Sequence, residues 1–168
     1  MKFEFRRAEE QDLPMIMDLI MEAKENVPDP DWFEAEDMEF AGKHIDEEGF
    51  TILAQWEDRI AGMMMVRIPG EQEDNLGEYL NLTDSQRNKT AHLEIAVVAP
   101  EFQGNGLQYR LFCMAEERLR EQGYDYLMAT VHPENRYSLR NMERLGMVRA
   151  AEVRKYGGKP RYVMWKRI

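Results

Sequence analysis

The chain has 168 residues and a formal net charge of −10, with 43% hydrophobic and 32% charged residues. A domain of this size buries roughly 70% of its unfolded surface, so its core needs neither a metal nor disulfides. No apolar run reaches the ~20 residues of a membrane helix, and the first residues lack the apolar stretch of a signal peptide. We therefore expect a cytoplasmic protein that does not bind membranes. An acidic chain has little electrostatic attraction for the phosphates of a nucleic acid, so no nucleic acid partner is expected.

The cysteine and histidine content gives no indication of a metal site. Cys113 is the only cysteine, which excludes an intramolecular disulfide and a cysteine-rich zinc site. Its apolar neighbours favour a small core residue over a nucleophile. The histidines are far apart in the sequence and form no ligand motif: His44, His92 and His132. We therefore predict no metal.

The charge is unevenly distributed along the chain. Residues 21–49 contain eleven acidic residues and two lysines, whereas residues 148–168 contain seven basic residues and one glutamate. An acidic surface beside a cleft would attract cations such as amines. A solvated acidic helix face that only aids solubility explains the same pattern, so both interpretations remain open.

The first 49 residues predict one strand and two helices. Residues 3–7 alternate as a strand does, and Asp12 is placed to cap a helix with apolar residues at helical spacing. Asp31 is predicted to cap a second helix that runs to about residue 48, with Gly49 as its stop. The apolar face of this second helix would consist of Trp32, Phe33, Met38 and Phe40.

The middle of the chain predicts strands over residues 51–56, 60–68 and 92–98. Between the last two lies a polar stretch, residues 69–90, for which we predict one helical turn near Leu80. So long a connection in a compact domain is usually functional or mobile.

The remainder predicts a helix from Leu107 that Gly123 ends, a strand over residues 126–131, and a short helix over residues 135–145. Residues 148–154 and 161–165 then form a hairpin. The element order indicates an α/β fold with a mixed, mainly antiparallel sheet flanked by helices.

The strongest motif follows the strand over residues 92–98, at the start of the next helix. Two glycines let the backbone approach a ligand, and the first helical amides together with the helix dipole suit a pyrophosphate. A plain tight turn would give the same pattern. The motif lacks both the Lys-Ser or Lys-Thr of a nucleoside-triphosphate loop and the third glycine of a dinucleotide site. It consists of Gln103, Gly104, Asn105, Gly106, Leu107 and Gln108.

Two segments resemble the GNAT superfamily of N-acetyltransferases. The first, residues 97–106, resembles its coenzyme A-binding segment and reads Val97-Val98-Ala99-Pro100-Glu101-Phe102-Gln103-Gly104-Asn105-Gly106. The second resembles a later motif and comprises His132-Pro133-Glu134-Asn135-Arg136-Tyr137-Ser138 with Leu145-Gly146-Met147. The predicted element order also matches, so the resemblance covers essentially the whole chain.

The resemblance implies one acyl-CoA N-acyltransferase domain over residues 1–168, with a V-shaped opening between the fourth and fifth strands. Acetyl-CoA would be the co-substrate. Its pantetheine arm would bond the backbone of Ala96, Val97 and Val98, and its pyrophosphate would bind the amides of residues 103–108. Asn135 and Ser138 complete the implied binding residues, and Asn135 equally fits a helix N-cap.

The implied reaction is direct attack of a primary amine on the thioester, with no covalent enzyme intermediate. Glu94 is the candidate base, since a carboxylate on this strand can take the amine proton directly or through water. An exposed or salt-bridged structural glutamate is the alternative. His92, two residues earlier on the same strand face, is a weaker substitute for the base.

Two residues depart from the family pattern. Gln108 stands where Gly or Ala is usual, and its side chain would crowd or directly bond a phosphate. Met142 stands where many members carry the tyrosine that reprotonates the thiolate, so Tyr137 becomes the candidate acid, with Tyr156 or water as alternatives. A catalytically silent acyl-CoA sensor, and a transferase with another donor or acceptor, remain open. We also leave open whether the acceptor amine belongs to a small molecule or to a peptide, and whether the protein forms a homodimer.

Overall fold

Seven strands form one sheet in the order β1-β2-β3-β4-β5-β7-β6 in the computed structural model, which describes all 168 residues. Every neighbouring pair is antiparallel except β4 and β5, so the predicted mixed, mainly antiparallel sheet is confirmed. The strands are β1 Glu4–Arg7, β2 Gly49–Trp56, β3 Arg59–Arg67, β4 Thr90–Val98, β5 Tyr126–Val131, β6 Val148–Lys155 and β7 Lys159–Arg167. The helices are α1 Leu13–Asn26, α2 Met38–Lys43, α3 Asp84–Arg87, α4 Leu107–Glu121 and α5 Arg136–Leu145.

The parallel strands β4 and β5 separate along their length. They pair only where Thr90–His92 faces Tyr126–Met128. Beyond that point β4 continues to Val98 and remains paired with β3 on its other side. The edge of β4 that faces β5 therefore has unpaired backbone groups after His92, and the predicted V-shaped opening is confirmed.

Helix α4 packs across the middle of the sheet and provides much of the core. Its stripe of apolar residues from Leu107 to Leu119 is buried and packs on β3, where a Cβ at Gly62 would lie 3.5 Å from Leu111. Burying a side chain of this size contributes roughly 1.5–3 kcal/mol, so the stripe fixes α4 firmly against β2, β3 and β4. The start of α4 is consequently held at the mouth of the opening.

The predicted second helix, over residues 31–48, is wrong. A short 3₁₀ helix covers Pro30–Trp32, after which Phe33 is extended and α2 begins only at Met38. The cap of α2 is Asp37, whose side chain accepts a hydrogen bond from the Phe40 amide at 2.8 Å. Gly49 does not stop a helix, because it begins β2, where any Cβ would collide with the Val66 carbonyl oxygen.

The β3–β4 connection (residues 68–89) contains two short helices instead of the single turn predicted: a 3₁₀ helix at Leu76–Leu80, and α3. Asn75 is fully buried and organises the connection. Its amide donates to the carbonyls of Gly70 at 2.8 Å and Arg87 at 3.1 Å, and its oxygen accepts from the Gly77 amide at 2.9 Å. These bonds hold the two ends of the connection together.

The β6–β7 hairpin holds the connecting segment between α1 and α2 (residues 27–37) across the opening. Lys159 Nζ lies 2.5 Å from Glu34 Oε1, and the Arg161 guanidinium donates to the Asp31 carbonyl at 2.5 Å. Two parts of the chain more than a hundred residues apart thus form one wall of the opening. No helix of the structure is both long enough and apolar enough to cross a membrane.

Candidate active site

The glycine loop (residues 103–106) and the start of α4 present a run of free backbone amides. Gly104 and Gly106 have φ values of +82° and +68°, and a Cβ at either position would meet no atom within 4 Å. No amide from Gly104 to Tyr109 donates to another group of the chain; the first that does is Arg110, to the Gly106 carbonyl. A helix start alone leaves about four amides free, and the left-handed turn adds more. The loop is therefore built to bind an anion with several oxygens.

An outer cleft leads from the glycine loop along the free edge of β4. It has a volume of about 420 Å³. The residues around it include nearly all of those predicted to bind coenzyme A: Ala96, Val97, Val98, Gln103, Gly104, Gln108, Asn135 and Ser138. Asn105, Gly106 and Leu107 do not border it. The side chain of Leu107 is in the core, so only its amide is available. Asn105 stabilises the turn by donating to the Phe102 carbonyl at 2.9 Å.

Asn135 and Gln108 organise the α4–α5 side of this cleft. Asn135 caps α5, because its side-chain oxygen accepts from the Ser138 amide at 3.3 Å. Gln108 donates to Ser138 Oγ at 2.9 Å and accepts from Asn141 Nδ2 at 2.7 Å. Gln108 therefore links α4 to α5.

Glu94 lies at the inner end of the cleft, on a β-bulge. The β3–β4 register passes from Met65 opposite Ile95 to Val66 opposite Leu93, so Glu94 is an extra residue. Bulges of this kind redirect a side chain and are frequent beside active sites. The Glu94 side chain is 19% exposed and borders an inner cavity that Ala96 also lines. The alternative of an ordinary exposed surface residue is thus not what the structure shows.

Burial raises the pKa of the Glu94 carboxyl to about 7, with Arg67 acting in the opposite direction. Arg67 is itself buried and paired with Asp74, at 2.7 and 2.8 Å. Burial also raises the pKa of Glu36, which borders the same inner cavity and has no paired cation. The inner cavity therefore contains two partly desolvated carboxyl groups, and each has a higher pKa than a surface acid of the same type.

His92 is not available as a base. Its Nε2 accepts a hydrogen bond from the Leu76 amide at 3.1 Å, which uses the lone pair that a base needs. The side chain is 3% exposed, and burial lowers its pKa to about 3. His92 therefore stays neutral at physiological pH and is no substitute for Glu94.

The two candidate tyrosines lie in different places. Tyr137 is 56% exposed and borders the outer cleft near the glycine loop. Tyr156 borders the inner cavity together with Glu94 and Met142. Its hydroxyl lies 3.3 Å from Thr130 Oγ1, and its backbone has a φ of +52°, which is strained for a residue with a side chain.

Sequence reasoning missed several residues that border the inner cavity. Trp32 and Phe33 had been assigned to a helix face, and Glu36 belonged to an acidic stretch with no distinguishing neighbour. Thr130 gave no local pattern, because it reaches the cavity through tertiary contacts. The acidic stretch and the basic C-terminal hairpin with Arg161 were the features of the sequence that pointed to this region.

The model of the acetyltransferase (GNAT) family matches residues 13–147. The chain belongs to the GNAT family. No curated protein matches this GNAT chain in sequence.

Solved structures show the same fold over almost the whole chain. The ribosomal-protein-S18-alanine N-acetyltransferase from Escherichia coli has a TM-score of 0.75 at 17% identity, covering 99% of this chain and 94% of that one. The ribosomal-protein-alanine N-acetyltransferase from Brucella melitensis has a TM-score of 0.75 at 20% identity, covering 98% and 99%. The structure of yncA from Salmonella typhimurium with its cofactor acetyl-CoA has a TM-score of 0.72 at 16% identity, covering 99% and 94%.

Proposed function

We propose that this GNAT protein is an N-acetyltransferase that moves an acetyl group from acetyl-CoA to a primary amine by direct attack. The observation that carries the proposal is that the outer cleft and the inner cavity adjoin, because Ala96, Gln108 and Asn135 border both. Free amides of the glycine loop lie at one end, and Glu94, with a pKa of about 7, lies at the other. An anion-binding end and a proton-accepting end on one cleft suit a donor with a phosphate handle and a reactive tip.

The residues of the cleft fit coenzyme A. The open space at Gly104 and Gly106 lets phosphate oxygens approach the amides from Gly104 to Tyr109. The unpaired edge of β4 near Ala96 to Val98 offers backbone groups to an extended amide-containing arm. When bound, acetyl-CoA supplies a thioester carbonyl open to attack and a thiolate leaving group.

Glu94 accepts the proton that the acceptor must lose. A primary amine is an ammonium at neutral pH and attacks only after deprotonation, and a carboxylate with a pKa near 7 is well matched to that task. The proton passes to the carboxylate directly or through one water. A backbone amide of Val97 or Val98 donates to the carbonyl oxygen, where negative charge develops.

Tyr156 provides the proton for the departing sulfur. It borders the inner cavity with Glu94, and the Arg161 guanidinium lies 5.2 Å from its ring centroid. Burial raises the pKa of the Tyr156 phenol, so it holds its proton at neutral pH, and the nearby cation favours the ionised phenol that remains after proton donation. Tyr137, the first candidate from the sequence, borders the outer cleft and therefore suits contact with the coenzyme A arm better.

The acceptor is a cationic amine, on the basis of the charges around the inner cavity. The basic hairpin does face this cavity, but Lys159 is paired with Glu34, and Arg161 is bonded to the Asp31 and Pro160 carbonyls. Arg161 keeps its charge, but Glu36 and Glu94 have no ion-pair partner and outnumber it, so the cavity favours positive charge. Both a small-molecule amine and a peptide amine remain candidate acceptors. The peptide is included because the ribosomal-protein-alanine N-acetyltransferases named above have the same fold.

The proposal is tested by release of free thiol from acetyl-CoA in the presence of a panel of amines. We expect turnover with at least one cationic amine. Tight coenzyme A binding without turnover on any amine would instead indicate the acyl-CoA sensor. Preference for a longer acyl donor in a donor panel would indicate an acyltransferase of different donor range.

A further inference from the structure

The side chain of His92 lies between the β3–β4 connection and Glu94. On one side its Nε2 accepts from the Leu76 amide at 3.1 Å, and on the other its Nδ1 lies 3.9 Å from Glu94 Oε2. A backbone amide can only donate, so Nε2 carries no proton. The single proton of the neutral ring must therefore be on Nδ1, the nitrogen that faces the carboxyl group.

The donor that sets this tautomer is firmly held. Leu76 is the first residue of the 3₁₀ helix in the β3–β4 connection, and its side chain packs against Met128 and Val163. The preceding Asn75 fixes the backbone on both sides through its three hydrogen bonds. The Leu76 amide thus has little freedom to release His92 to the other tautomer.

We propose that His92 is a positioning residue for Glu94: its Nδ1–H, fixed by the Leu76 amide, lies 3.9 Å from the carboxylate and stabilises its ionised form as an oriented dipole. The histidine keeps its proton throughout and transfers none. The inference rests on the proposed role of Glu94 as the base. It assigns the long connection a role that its polar sequence does not indicate.

Charged and titratable groups from several elements also face Glu94. Arg67 and Lys155 favour the ionised carboxyl, whereas Glu36 and Asp74 oppose it. These groups come from β3, β6, the connecting segment and the β3–β4 connection respectively, and Tyr156 faces Glu94 from the β6–β7 turn. Arg67 is already paired with Asp74. His92 differs from all of these because it offers an oriented N–H group on the same strand as Glu94.

The first test needs no substrate. In the ligand-free protein, ¹⁵N spectra of the histidine rings should show His92 as the Nδ1–H tautomer, and ¹³C spectra should show Glu94 titrating near pH 7. His92→Leu removes the donor and should raise the Glu94 midpoint by about one pH unit, because a donor to the charged form lowers a carboxyl pKa. His92→Asn keeps an N–H near Nδ1 and should raise it by less than half as much. An Nε2–H tautomer, or an unmoved midpoint in His92→Leu, would overturn the proposal.

A matched pair at position 76 separates the hydrogen bond from packing. Leu76→Pro removes the amide hydrogen at the first helical position, where proline is tolerated, and Leu76→Ala keeps it. Both lose side-chain packing and stability. Only Leu76→Pro should raise the Glu94 midpoint, and equal shifts in the two variants would contradict the role of the Leu76 amide.

The same variants should carry the shift into catalysis. In His92→Leu, the rising limb of kcat/KM should shift to higher pH by the amount seen in the Glu94 titration. Activity should recover at high pH. A uniform loss at every pH would assign His92 a purely structural role. Absence of turnover in the unmodified protein would contradict the proposed function alone, because the spectra test His92 and Glu94 without substrate.

Discussion

Lys159 of β7 and Glu34 of the connecting segment form an ion pair 2.5 Å long across the mouth of the opening. They belong to the most basic and the most acidic stretches of the chain, which are far apart in the sequence. Because their charges neutralise each other, Lys159 and Glu34 add no net charge to the surroundings of the inner cavity. Glu36 and Glu94 also border this cavity and have no ion-pair partner, which is the basis of the proposed preference for a cationic acceptor.

Coenzyme A should stabilise the fold. At a hundred times its dissociation constant, a ligand that binds only the folded state adds about 2.7 kcal/mol by mass action. For a domain of this size, the melting temperature should rise by roughly 5–11 °C. Scanning calorimetry with and without millimolar coenzyme A measures the shift, and an unchanged melting temperature would rule out the proposed cofactor.

Gly106→Glu should abolish coenzyme A binding without unfolding the protein. The new carboxylate would repel a phosphate at the free amides, while the side chain itself meets open space. The left-handed φ of +68° adds strain of about 1–2 kcal/mol. Gly106→Asn, which tolerates this conformation better, is the uncharged control and should bind more strongly than Gly106→Glu. Calorimetric titration decides, and normal affinity in Gly106→Glu would place the pyrophosphate elsewhere.

Glu94→Gln should lower kcat by about 10²–10⁴-fold and leave acetyl-CoA affinity unchanged, because only the base is lost. In the unmodified enzyme kcat/KM should rise through pH 7, where Glu94 ionises. A loss below about threefold across the pH range would give Glu94 a structural role.

Stability provides a control for the same variant. Since the pKa of Glu94 is raised in the folded state, the folded protein binds more protons than the unfolded chain between about pH 4.5 and 7. Stability from this group is therefore present below pH 4.5 and is lost as pH rises to 7. Glu94→Gln should be more stable than the unmodified protein at pH 8 but not at pH 4.5. Urea unfolding at these two pH values can verify this.

Tyr156→Phe should lower kcat by about tenfold or more, with acetyl-CoA affinity retained, because the hydroxyl acts only on the leaving thiolate. Tyr137→Phe is the matched control and should affect acetyl-CoA binding more than kcat. Steady-state kinetics with direct binding measurements separate the two. The reverse pattern would return the acid role to Tyr137.

Glu36→Gln should reduce kcat/KM for polyamines, aminoglycosides or lysine side chains by roughly three- to tenfold, and added salt should weaken the difference. Glu39→Gln removes an acid of α2 that is 80% exposed and should have no such effect. Acidic amino acids serve as the contrasting acceptors. Preference for an acidic acceptor, or rates that ignore salt, would refute the charge assignment while leaving acyl transfer intact.

The strands and the long helices could be predicted because each has a periodic apolar pattern that local sequence displays. The helix over residues 31–48 could not be excluded in this way. Its residues Trp32 and Phe33 are apolar, as a helix face would require, but they border the cleft beside the Asp31 carbonyl that Arg161 of β7 binds. Side-chain period alone does not reveal which surface an apolar residue will meet.

The anion-binding end of the site was predictable, since its residues are contiguous and include two glycines before a helix. The inner cavity was not. The bulge at Glu94 depends on the register between β3 and β4, and the tautomer of His92 depends on an amide sixteen residues away. Such features arise only when separate segments meet in the folded chain.

The bond from Arg161 to the main-chain carbonyl of Asp31 has an evolutionary consequence. Every residue type has that carbonyl, so substitution at position 31 does not in itself remove the anchor. Side chains of the connecting segment can therefore change during evolution while its backbone stays bonded to β7. A descendant of this protein could change its preferred amine by substitutions at Glu34 or Glu36, which border the inner cavity but not the outer cleft.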